Sequence, residues 1–144
     1  MGWQAQLAWH VKNTLATDSA TSALVADGSL SGVYLRGEIP DSPSYPYIVI
    51  DCPLSNREDY LIGVTGNSAV AVRFPSLQVS WFAATYASYL AVGEAVEGAL
   101  DGAELTLAGV SKVRLDGLLG PAHEFHDIKG AGYHQGFKRY KTVI

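Results

Sequence analysis

Cysteine is nearly absent from this 144-residue sequence. Its single thiol, Cys52, excludes an internal disulfide and any zinc site built from several cysteines. Production in a reducing compartment fits that usage. Long apolar runs are missing too, and none approaches the ~20 residues that a membrane-spanning helix needs. The opening MGWQAQLAWHVKN lacks the basic stretch and continuous apolar segment of a secretory signal, so none is expected. Gln6 stands where N-myristoylation needs serine or threonine. Phosphate and nucleophile motifs are absent as well. No lysine follows GVTGNS, KGAGYHQG opens no helix, and neither Ser80 nor Ser88 has the glycines of a nucleophile elbow.

What is present is apolar. Hydrophobic residues make up 48% and charged residues 17%, which excludes a disordered composition. The length suits one domain, residues 1–144, with a buried core. The net charge of −4 is unevenly spread. All 14 acidic residues lie at or before Asp127, where six basic residues leave that part at −8. Beyond it stand Lys129, Lys138, Arg139 and Lys141 with no acid. A basic end on an acidic body can bind nucleic acid or dock on a neighbouring copy. Four charges are few for the former.

Trp3, Leu7, Val11 and Leu15 recur every four residues, which predicts a helix over 3–16. Asp18 or Ser19 caps a second, short helix in SATSALVAD. Residues 33–35 read as a short strand, and the Pro-rich 28–46 as an extended loop around it. YPYIVIDC (45–52) reads as a buried strand. Residues 54–69 read as a long hairpin connection turning at Thr65-Gly66-Asn67. A single strand is expected over 70–82, with Pro75 at a bulge or edge and Leu77, Val79 and Trp81 on its buried face. Thr85 caps a helix over 86–100, whose apolar face is read as Tyr86, Tyr89, Leu90, Val96 and Leu100. Glu94, Glu97 and Asp101 then face water. One short and one longer strand follow, then a glycine-rich loop over 117–132 and a last strand from Tyr133. The order αα-βββ-α-βββ makes an α+β fold, a mostly antiparallel sheet packed by an N-terminal helix pair and one central helix.

His123, Glu124, His126 and Asp127, in HEFHD, carry metal-ligating groups. Metalloprotease histidines sit at i and i+4 on a helix, whereas these are at i and i+3, and on a strand they face opposite sides. A solvated loop or strand and an adventitious metal site both accommodate them. A small metal-dependent hydrolase is the enzymatic alternative. Cys52 reads as a buried structural residue, since no base or signature surrounds it. Arg57, Glu58, Asp59 and Tyr60 form either a solvated loop or a partner contact. Trp3, Trp9, Tyr34, Tyr45, Tyr47, Tyr60, Trp81, Phe82, Tyr86 and Tyr89 divide between core and interface.

Four stretches in order resemble the family of tail-completion, or tail-terminator, proteins of long-tailed bacteriophages and related tail-like particles. They are TDSATSALVADG, VYLRGEIPDSPSYPYIVI, SLQVSWFAATYASYLAVGEAVEGALDG and LDGLLGPAHEFHDIKGAGYHQGFKRYKTVI. HEFHD departs from the single carboxylate cluster of that pattern. The resemblance implies a non-enzymatic virion protein without cofactor or metal, made in the host cytoplasm. It implies a ring, usually six-fold, at the head-proximal end of the tail tube, ending tube polymerisation and meeting the head–tail connector, with DNA passing through the lumen. A neck or connector component of the same virion is the structural alternative. Rings need heterologous interfaces. Candidate interface residues are Arg57, Glu58, Asp59, Tyr60, His123, Glu124, His126, Asp127, Lys138, Arg139 and Lys141.

Overall fold

The computed structural model describes residues 3–52, 60–65, 68–73, 76–107, 110–128 and 131–143. Two helices come first, α1 (Trp3–Thr17) and α2 (Ser19–Val25). The strands β1 (Val33–Leu35), β2 (Tyr47–Asp51), β3 (Tyr60–Thr65), β4 (Ser68–Arg73) and β5 (Ser76–Ala83) follow. Helix α3 (Tyr86–Leu100) precedes β6 (Glu104–Leu107), β7 (Val110–Ile128) and β8 (Ala131–Val143). Among the described residues no helix is long and apolar enough to cross a membrane.

Local chemistry sets the helix starts. The Asp18 carboxylate accepts from the backbone N–H of Thr21 at 3.0 Å and from its hydroxyl at 2.7 Å, satisfying a donor the first turn leaves unpaired. Thr85 does the same for Ser88 N–H at 3.2 Å. Leu7, Val11 and Leu15 of α1 are fully buried, as their spacing requires. The buried face of α3 is rotated from the expected one. Tyr89, Val92, Gly93, Val96 and Leu100 face inward, while Tyr86 and Leu90 are about half exposed. Val92 and Gly93 complete the 3.6-residue period with Tyr89 and Val96, and the sheet beneath admits only that row closely.

Six strands form one sheet in the order β1-β2-β5-β8-β7-β6, antiparallel except for the β1–β2 pair. All three helices contribute to one core with one face of it. Leu7, Leu15 and Val25 meet Val92, Val96 and Leu100, over Ile48, Ile50, Leu77, Val79, Trp81, Leu115 and Tyr140. Alternate residues of each strand point to the other face.

Two expectations about the strands also change. Residues 70–82 are not one strand. β4 pairs with β3 in a separate two-stranded sheet, Thr65 opposite Ser68, whereas β5 lies between β2 and β8, and Gly66 and Asn67 of the expected turn lie outside the described residues. The chain therefore changes sheets between Arg73 and Ser76, and Pro75 lies outside the described residues. The glycine-rich 117–132 is largely strand, not loop. β8 is long enough to pair with β7 up to Ile128↔Ala131. Gly120 and Pro121 are absorbed by the register shift between Leu119 and Ala122, next to another between Gly117 and Leu119. Pairing with a complete neighbouring strand overrides local composition.

Candidate assembly surfaces

β7 and β8 split the expected interface residues between the two faces of the sheet. His123 turns toward α3. Its Nε2 lies 2.9 Å from Nδ1 of His134, one ring donating and the other accepting, and its ring centroid is 4.4 Å from that of Tyr89. Phe125, 57% exposed, packs on His134 at 4.8 Å. His126 takes the opposite face, as alternation demands. Its Nε2 is 3.1 Å from both Gln135 Oε1 and Glu124 Oε2, and its ring stacks on Tyr133 at 4.9 Å. His123 and His126 therefore share no site. Among the described residues no three His, Cys, Asp or Glu side chains are grouped to hold a metal ion. Asp127 is exposed near the end of β7.

The basic C-terminal segment divides by the same alternation. Lys138 points into the molecule, where its ammonium donates to Asp101 at 2.9 and 3.0 Å and to Glu97 at 3.2 Å. Burial pulls its pKa down, but the hydrogen bonds to Asp101 and Glu97 together outweigh that and raise it. Glu97 and Asp101 thus do more than face water. Arg139 and Lys141 lie on the opposite face, where Arg139 Nε donates to Gln78 at 3.0 Å. Tyr60 opens β3 opposite Arg73. Arg57, Glu58 and Asp59 lie outside the described residues.

Sequence reading missed an aromatic row on the face turned away from the core. Tyr34, Tyr47, Phe82, Tyr133 and His126 stand on β1, β2, β5, β8 and β7 in spatial order. Successive ring centroids are 6.3, 4.8, 6.1 and 4.9 Å apart. Tyr45 adds a sixth ring, 6.0 Å from Tyr133 and 45% exposed. Such a row is invisible until strand order and register are known. Aromatic rings carry large contact area at low rotamer cost, which suits subunit interfaces.

Cys52 lies beyond β2, beside Arg36 and Asp51, which form an ion pair at 2.9 Å. Burial, then the Asp51 charge, pushes its thiol pKa up to about 12. A nucleophile needs the reverse shift. At pH 8 the thiolate fraction should fall about a thousandfold below that of an unperturbed thiol. Iodoacetamide labelling followed by mass spectrometry should be slow in buffer and fast in denaturant. Equal rates would show that Cys52 is neither buried nor inert.

The fold is a sheet with helices on one side and, on the other, a row of rings of which Tyr34 is buried and Tyr47, Phe82, Tyr133 and His126 are half-buried. A family model described as "Tail completion protein gp17" matches residues 10–119, and the chain belongs to that family. It is accordingly a structural protein of a phage-type tail and a component of a virion assembly. Among solved structures it is similar to a chain of "Virion of native gene transfer agent (GTA) particle". The TM-score is 0.67 at 23% identity, over 96% of this chain and 95% of that one, so the two share a fold. A search of curated proteins finds no match.

Proposed function

We propose that residues 1–144 act as one unit that assembles into a ring, six-fold, on the head-proximal end of the tail tube. There it ends tube polymerisation and presents a joining surface to the head connector. Membership of the tail-completion family, over residues 10–119, carries this reading. The geometry supports it in kind. A ring needs two different patches per subunit. The aromatic row with Arg139 and Lys141 is one, and the Phe125, His123 and Tyr86 surface beside α3 is another. Transit of DNA through the lumen would bring phosphate near the outward basic side chains.

Tails assembled in cells lacking this gene test it directly. Electron microscopy should show tubes of variable, excess length without heads, restored when the chain is supplied. Tubes of normal length joined to heads would sink the reading. In solution, six copies of a 15.4 kDa chain come to about 92 kDa, the mass expected by light scattering if the ring forms without its tube.

A further inference from the structure

Helix α3 turns a stripe to solvent. Tyr86, Leu90 and Glu94 stand four residues apart, which sets them on one face, and all three are exposed. The stripe runs beside β8 in the same direction. The ring centroids of Tyr86 and His134 are 5.6 Å apart, and Glu97, three residues beyond Glu94, reaches the Lys138 ammonium at 3.2 Å. The stripe is therefore apolar at the His134 end, where exposed Phe125 packs on His134, and acidic at the Lys138 end. There Glu94, Glu97 and Asp101 stand around one ammonium.

The other face of β8 carries a matching order. Tyr133 lies between Tyr45 and Phe82 at one end, its ring centroid 6.0 and 6.1 Å from theirs. Tyr45 is exposed and the other two are half-buried, so ring surface stays open. Arg139 and Lys141 stand at the other end. Asp116, opposite Lys141 on β7, is held by Arg114 at 2.9 and 3.1 Å, which leaves that end positive.

Each chain thus presents two faces that run from apolar to charged along one strand, with charges of opposite sign. Either face suits the other face of a second copy whose strands run the same way. Stacking in the reverse direction would set Arg139 against Tyr86. We propose that the α3 stripe of one copy lies on the aromatic row of the next, with Leu90 against Tyr45 and Tyr133, and Glu94 against Arg139. An apolar centre with complementary charge at its rim is the usual anatomy of such a contact. The two faces lie on opposite sides of the sheet, so the contact is heterologous and repeats from copy to copy. The proposal rests on the ring reading above and names a second copy, not the tube or connector, as the occupant of both faces.

In a Cys52→Ser background, Leu90→Cys and Tyr45→Cys are introduced singly and together, both at exposed positions. Tails from cells supplied with each variant are treated with a short bismaleimide and run on a denaturing gel. The double variant should give a ladder beyond the dimer, ending at six, and each single variant only monomer. A ladder arises only if each copy links to two neighbours through different faces. Dimers from either single variant, a link to a tube or connector protein, or monomer alone from tails whose ring is visible by electron microscopy would overturn the contact and leave the ring standing. A ladder ending at another number keeps the contact and overturns the six-fold ring, and tails that carry no ring sink the reading on which the contact rests. Glu94→Arg should weaken the ladder about fivefold, and Arg139→Glu in the same chain should restore it, since opposite charges meet again. No rescue in a chain of unchanged far-UV circular dichroism would overturn the proposed direction of stacking.

Discussion

Trp81→Ala should lower the free energy of unfolding by about 3–5 kcal/mol, the range for removing a fully buried large aromatic side chain. Trp81 is the largest of the fully buried side chains among the described residues, and α3 and β8 close on it. Its ring stacks on Tyr89 of α3 at 6.1 Å and lies against Gly93 of α3 and Gly136 of β8. Gly136 is the tighter neighbour. A Cβ there would stand 2.5 Å from Nε1 and Cε2 of Trp81 and 2.5 Å from Cε2 of Tyr89. β8 cannot retreat, because β5 and β7 hold it on both sides. Gly136→Ala should therefore cost about 1–3 kcal/mol by overpacking, although the same change on an open strand is favourable. Urea unfolding followed by far-UV circular dichroism measures both. A midpoint unchanged in either variant would show that this packing is wrong.

Asp101→Ala should be the costliest single change among the charged groups. Asp101 accepts from Tyr140 Oη at 2.7 Å as well as from Lys138, and the Tyr140 side chain is fully buried. Removing the carboxylate leaves a buried hydroxyl unmet, worth about 1–3 kcal/mol. Tyr140→Phe in the Asp101→Ala background should then cost less than in the wild type, because the hydroxyl has already lost its partner. Additive costs would disprove the link.

The same cluster sets an alkaline limit. Burial first, then the hydrogen bond to Asp101, raises the Tyr140 pKa, and Lys138 is raised through its two carboxylates. Both groups hold their protons to higher pH in the folded chain than in the unfolded one. Their stabilisation is complete below the unfolded values, about 10 for tyrosine and 10.4 for lysine, and is lost as pH rises through the folded values. Cys52 adds a decline of the same sign that begins near pH 8.5. Urea midpoints should hold from neutral pH to about 8.5 and fall beyond it. They should fall less steeply in Asp101→Ala, which has already lost the Asp101 share of the Lys138 and Tyr140 contributions and keeps only that of Glu97. An equally steep fall would separate Lys138 from the alkaline limit.

Local chemistry determined much of this chain from its residues alone. Side-chain period and caps placed α1, α2 and α3, because Asp18, Thr85 and the Leu7–Val11–Leu15 row act within a few residues of themselves. Alternation placed Leu77, Val79 and Trp81 inward. The order of elements already implied an α+β fold. Tertiary structure decided what depends on partners distant in sequence. β8 turned a glycine-rich stretch into strand by offering it a complete ladder. Lys138 became internal because strand register set it beneath Glu97 and Asp101, about forty positions away along the chain. Five rings became one row only when β1, β2, β5, β8 and β7 lay side by side. The sequence carries each of these residues, but their meeting depends on strand order, and no local pattern encodes that.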